Sequence, residues 1–186
     1  MGEKDGKDLN RQVEVKIYSI ATSMNESIIF LDETEGTRIL PIWIGPSEAQ
    51  AIAIRLSGYP SPRPMTHDLI FSIIRTLNHN VINVTISDVD QGTYFAYLTV
   101  VNKPARGRKK ITYKIDCRPS DALAVAVRFA CPIYITEKVF GKTQTLAKPI
   151  SEDEVSKFKQ NLKNLKPMDI INQLRNKKQD DINGEV

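Results

Sequence analysis

The stretch from Ile111 to Thr136, ITYKIDCRPSDALAVAVRFACPIYIT, most constrains what this chain can fold into, because it reads as strand, helix, strand with few alternatives. Ile111, Tyr113 and Ile115 alternate with Thr112, Lys114 and Asp116, the period of a half-buried strand. Pro119 and Ser120 mark a helix start, and Asp121 suits the positive end of the helix dipole. The helix Ala122 to Ala130 is apolar almost all round, interrupted by Arg128, so most of its sides are expected to be buried. Pro132 ends it, and Ile133 to Ile135 follow as a short strand that a right-handed crossover places parallel to the first.

The flanking segments supply the rest of a sheet. Val13, Val15 and Ile17 alternate as a first strand, Ser27 to Asp32 form a second, and Arg38 to Ile44 a third in which Pro41 calls for an edge or a bulge. Gly45 and Pro46 open a helix with the small-residue stripe Ala49, Ile52, Ala53 and Leu56, a surface that would let another element, or another copy of the chain, approach closely. A second helix starts at Thr66, with Leu69, Ile70, Ile73, Ile74 and Leu77 as its expected core face. Val81 to Ser87 and Thr93 to Val101 make a hairpin, and the short link to the central strand predicts a further antiparallel neighbour. Glu137 to Pro149 reads as irregular and polar. Ser151 and Glu154 form a capping box before an amphipathic stripe of Val155, Phe158, Leu162 and Leu165.

The expected fold class is therefore α+β: a single compact domain with a mixed, largely antiparallel sheet, one β-α-β crossover unit and packed helices, plus a C-terminal helical extension. Residues 1–12 are expected to be a mobile tail, 13–148 the domain, 149–174 the extension and 175–186 a second mobile tail. With 186 residues, 41% of them hydrophobic, the chain can bury one real core. No run is long enough to span a bilayer and the first residues do not read as a signal peptide, so a cytoplasmic protein with no membrane partner is expected. Cys117 and Cys131 have no ligand-spaced neighbours and read as inert thiols of a reducing compartment.

The net charge of +4 is unevenly spread. Both ends balance, with three residues of each sign in 1–12 and seven of each in 151–186, so the excess lies between them. Lys103, Arg106, Arg108, Lys109 and Lys110 form an acid-free hairpin tip there, a ready contact for a phosphate backbone or else a solvated loop guarding an edge. Tyr94, Phe95 and Tyr97 could stack bases where exposed.

Phosphate loops, zinc-spaced cysteines and HExxH are absent, and no organic cofactor is expected. What recurs is a carboxylate in the first turn of three helices: Glu48, Asp68 and Asp121. Asp116 ends the central strand beside them, and Arg63, His67 and Arg118 accompany them. If these starts converge, Asp68, Asp116 and Asp121 could hold a divalent cation such as Mg or Mn. Within the same cleft, His67 or Glu48 would handle a proton and Arg118 would steady a phosphate. Taken singly, each carboxylate is better explained as a helix cap, stabilised by about 0.3–1 kcal/mol through the dipole.

Taken together and in order, LPIWIG (40–45), PRPMTHDL (62–69) and IDCRPSDALAVAV (115–127) closely resemble the bifunctional nuclease domain family, over about residues 13–145. The resemblance implies a compact α+β domain and, as described for some members, cleavage of both DNA and RNA. It brings no agreed catalytic set. Glu48, His67, Asp68, Asp116, Arg118 and Asp121 as catalytic positions, and Arg63 with the basic loop as nucleic-acid contacts, rest on the residue chemistry above. The expected function is metal-assisted, sequence-independent phosphodiester hydrolysis of DNA or RNA. The alternative is a non-catalytic module that binds nucleic acid or protein, and homo-oligomerisation is compatible with either.

Overall fold

Alternating apolar residues produce strands wherever the sequence can bury one side of each against a helix layer. The computed structural model describes residues 8–23, 26–103, 109–148 and 160. Its elements run β1 (Gln12–Thr22), β2 (Ser27–Glu33), β3 (Arg38–Ile44), α1 (Pro46–Ser57), α2 (Thr66–Thr76), β4 (His79–Asp90) and β5 (Thr93–Asn102). They continue with β6 (Thr112–Cys117), α3 (Pro119–Phe129), β7 (Ile133–Thr136), α4 (Glu137–Lys142) and β8 (Leu146–Ala147). All eight strands join one sheet in the order β6-β5-β4-β7-β1-β2-β3-β8, every pair antiparallel except β4 with β7. The result is the single compact α+β domain that the pattern predicts.

The central unit is a crossover, and a wide one. β6 and β7 run parallel, but β5 and β4 stand between them, so α3 spans both on its way across the sheet. This explains why α3 is apolar on nearly every side: Ala122 to Ala126 are fully buried between the sheet and α1 and α2. Pro41 lies on β3 beyond the two-residue pairing with β8, where an absent N–H interrupts nothing. Gln91 and Gly92, both at positive φ (46° and 79°), close the β4–β5 hairpin with the handedness that matches strand twist.

The main core lies between the helices and one sheet face, with Ile29, Leu31, Leu40, Ile42, Val84 and Ile86 against Ile52 and Leu123. Ile28, Phe30 and Ile39 form a smaller cluster on the other face. Three readings need correction. Leu69, Ile73 and Leu77 of α2 face solvent, while Ile70 and Ile74 of the expected face, together with His67 and Phe71, anchor the helix. Ala49 and Ile52 of α1 are buried against α3, so that half of the small-residue stripe serves an element of the same chain, while Ala53 and Leu56 are exposed. The segment 137–148 is ordered: Val139 and Phe140 of α4 are buried, and Arg38 joins β3 to it through Glu137 and the Phe140 ring while also gripping Glu33.

Residues 8–11 continue the fold rather than trail from it, since Arg11 and Leu9 carbonyls accept from the Glu137 and Lys138 amides. The expected tail at 1–7, the extension at 149–174 (save Gln160) and the tail at 175–186 lie outside the described residues, as do Arg106 and Arg108 of the basic loop. Among the described residues, no helix is long and apolar enough to cross a membrane.

Candidate functional site

Three helices begin on strand ends or proline turns that aim their first turns at one another. α1 starts after Gly45, with Pro46 supplying the fixed φ of the first position, and Glu48 sits in its first turn. Gly45 leaves room there: a Cβ at that position would overlap the Glu48 carboxylate, which folds back over it and would have to swing away. α3 starts after Arg118, again with Pro at the first position, and carries Asp121. α2 starts after Met65 and carries His67, only 8% exposed, and Asp68.

Arg118 and Asp121 tie these starts together. The Arg118 guanidinium donates to both oxygens of Asp121, from Nε to Oδ2 at 2.8 Å and from Nη2 to Oδ1 at 3.1 Å, and bridges to Glu48 Oε1 at 2.9 Å. His67 Nε2 lies 3.2 Å from Asp121 Oδ1. Glu48, Arg118, Asp121 and His67 therefore form one chain of contacts across α1, α3 and α2. The Arg118 side chain remains 66% exposed at its centre, so its guanidinium is open to an incoming anion. Burial opposes ionisation of Asp121, yet the hydrogen bonds from Arg118 and His67 outweigh it and hold the carboxyl below its ordinary value. The bond to Asp121, and after it the bond to Glu48, raises Arg118 above its ordinary value.

Asp68 is turned elsewhere. Its Oδ1 accepts from Arg128 Nε at 2.7 Å and its Oδ2 from the Met65 amide at 2.9 Å. Arg128 is 6% exposed and also donates to the Ala124 carbonyl at 2.9 Å, with the Ala51 carbonyl at 3.4 Å. Burial would raise Asp68, but Arg128 and the Met65 amide keep it low. No hydrogen bond or ion pair joins Asp116 to the cluster, although it borders the same groove. Asp68, Asp116 and Asp121 thus do not assemble as a three-carboxylate cation site, and no group of three or more metal-ligating side chains occurs among the described residues.

Beside the cluster runs a groove of about 660 Å³, lined by Ile70 and Ile74 of α2, Tyr94, Phe95 and Leu98 of β5, and Ile115 to Arg118. Phe95 is exposed there, a flat surface on which a base can stack next to a cation. Tyr97 is engaged instead with Gln12 and Lys114, whose ammonium lies 4.5 Å from the ring centre. Arg63 belongs to a separate cavity of about 400 Å³ with Arg55, Tyr59, Asp68 and Arg128. Lys103, Lys109 and Lys110 sit at the start of β6, one strand length of roughly 20 Å from Arg118 at its end. Cys117 is pushed up to about 12 by burial and then by Asp121 and Asp116, as an inert thiol requires. The residue that sequence reasoning missed is Arg128. Its signal was present, as the lone charge in an apolar helix, but its partner lies 60 positions away.

A family model described as the bifunctional nuclease domain matches residues 29–148. Uncharacterized proteins from two strains of Mycobacterium tuberculosis are 38% identical over 167 residues, covering 84% of this chain and 96% of theirs. A protein of Oryza sativa subsp. indica named bifunctional nuclease 1 is 23% identical over 138 residues, covering 73% of this chain and 41% of that one.

Proposed function

The chain belongs to the bifunctional nuclease domain family, and from that premise we propose that the junction of its three helix starts is the centre of a nuclease-like phosphodiesterase acting on DNA or RNA without reading sequence. One observation carries the reading. Arg118, Asp121, Glu48 and His67 meet at the mouth of a groove that also presents an exposed aromatic ring. Arg118 offers two-pronged donors to a phosphate and stabilises the charge that grows on it in the transition state. Glu48 and Asp121 set the guanidinium plane. Asp121, held below its ordinary value by Arg118 and His67, orients the imidazole, and His67 takes up the proton of an attacking water. Phe95 carries a neighbouring base, and the lysines at the far end of β6 hold the backbone. No step in this scheme runs through a metal ion.

A second reading has its own observation. Arg118 already faces two carboxylates, so its charge is met within the cluster, which is how three helices are interlocked in a module that only binds.

Cleavage of labelled single-stranded RNA and DNA separates the two. Wild type, Asp121→Asn and Arg118→Met would be purified identically and assayed with and without EDTA. The catalytic reading expects each substitution to lower cleavage by at least ~100-fold with the melting transition retained. Equal cleavage by all three proteins would overturn the site. No cleavage by any, with binding abolished by Lys109→Glu/Lys110→Glu, would establish the binding module.

A further inference from the structure

β6 is an edge strand whose outer backbone groups face no other strand among the described residues. Such edges are usually shielded by charge, proline or a covering element. This one carries Ile111, Tyr113 and Ile115 in alternation, each 44–48% exposed, on the face that Leu98 and Val100 share. Next to them, Leu69, Ile73 and Leu77 of α2 are 47–63% exposed. Asp68 and Phe71 turn α2 toward α3, while Ile70 and Ile74 overlook the groove by Ile115, so the exposed stripe lies on the side of α2 away from α3. Half of the large exposed hydrophobic residues described for the chain are in this one patch. Six half-exposed side chains present roughly 500 Å², at the upper end for a monomer and enough, doubled with its backbone, to reach a specific interface.

The patch fits a second copy because the edge is complementary to itself. A two-fold axis normal to the sheet pairs residues of the same face, so positions of equal parity must meet. Two registers pair most of β6. Centring on Lys114 sets that lysine against the partner's Lys114. Centring on Ile115 sets Ile115 against its own copy, Tyr113 against the partner's Cys117, and Lys114 against the partner's Asp116, twice. Opposite charges directly across antiparallel strands stabilise and like charges destabilise, which selects the second register.

We propose that two copies pair antiparallel along β6 about Ile115, so that each copy's Lys109 and Lys110 come beside the partner's Arg118 and Asp121. Within one copy the basic residues and the cluster occupy opposite ends of β6. Across the two-fold axis, position 110 falls opposite position 120 of the partner, and the cations join the cleft. The phosphate-binding part of this inference rests on the reading of Arg118 given above, whereas the pairing itself does not.

Single cysteines test the pairing independently of any activity. In full-length protein with Cys117 and Cys131 replaced by serine, Ile115→Cys is expected to cross-link rapidly into dimers under mild oxidation and Lys114→Cys to remain monomeric. Lys114→Glu should weaken dimerisation at least 10-fold in sedimentation equilibrium, and adding Asp116→Lys should restore it. A monomeric wild type, no cross-link through position 115, or preferential cross-linking through position 114 overturns the proposal. The shared cleft is then read by mixing Lys109→Ala/Lys110→Ala chains with Arg118→Ala chains. Retention or cleavage of a labelled single-stranded oligonucleotide should recover to about a quarter of wild type, since half of the dimers are mixed and each holds one intact cleft. Efficient cross-linking through position 115 without such recovery overturns the shared cleft.

Discussion

Replacing Arg128 by methionine should cost about 2–3 kcal/mol, and the figure follows from what the guanidinium touches. Methionine keeps most of the stem volume, so the loss is electrostatic rather than a cavity. Breaking a buried ion pair by removing one partner typically costs about 3–5 kcal/mol. Here the abandoned Asp68 side chain is 33% exposed and keeps the Met65 amide, so rehydration recovers part of that. The Ala124 carbonyl, which Arg128 reaches at 2.9 Å, loses a donor to its second lone pair and adds to the cost. For a chain of this size the change lowers the melting temperature by roughly 5–10 °C. Urea titration should show a reduced midpoint at unchanged slope. Asp68→Asn should be comparably destabilising, because it leaves a guanidinium buried against a neutral amide. The double variant should lie about 1–2 kcal/mol short of additivity. Asp68→Asn protein, held well below its transition, should retain function. A loss below ~1 kcal/mol in Arg128→Met, or strict additivity, refutes the argument that Asp68 is spent on a structural pair.

Gly45→Ala, although its backbone is extended and unstrained, should displace the Glu48 carboxylate, free one side of Arg118, and lower any cleavage in step with Glu48→Gln; unchanged activity in both would remove Glu48 from the site. The Arg38 hydrogen bonds hold Glu33 below its ordinary value, against an opposing effect of burial. A depressed carboxylate contributes stability that is complete above its unfolded pKa of about 4.3 and is lost as pH falls through the folded one. Urea midpoints between pH 5 and 3 should therefore fall more steeply for wild type than for Glu33→Gln, and parallel curves would count against the pair. Burial pushes Cys117 up to about 12 and Cys131 up to about 11. A disulfide reagent at pH 8 should thus modify native protein at least ~100-fold more slowly than protein in urea; equal rates would show the thiols to be accessible and ionised.

Much of this molecule was legible because its signals are local. Alternation located β1 and β6, Gly-Pro and Arg-Pro located two helix starts, and Gln91-Gly92 followed from turn chemistry. The convergence of Glu48, His67 and Asp121 was expected only conditionally, since nothing within a helix start says which other start it faces. Asp68 shows why. Its first-turn position is the same as that of Glu48 and Asp121, but the choice between Arg118 and Arg128 is made by how α2 is rotated on α3, a property of packing. The α2 stripe was misread for the same reason: periodicity reports that a helix has an apolar side and not whether the core or another chain covers it. β8 and α4 are too short to carry a period at all.

The position of β7 has a consequence for how the chain acquires its shape. β1 to β3 and β4 to β6 are each continuous meanders that sequence neighbours can zip up unaided, yet among the described residues they touch in the sheet only through Ile133–Thr136. Those four residues are synthesised after both meanders and after α3, so the nascent chain holds two half-sheets with open flanks until the last central strand arrives. β7 is in this sense a keystone. Until it seats, Val13 and Val15 on one side and Val84 and Ile86 on the other lack their partners, and the ribosome-bound intermediate is where this protein is most exposed to misassembly.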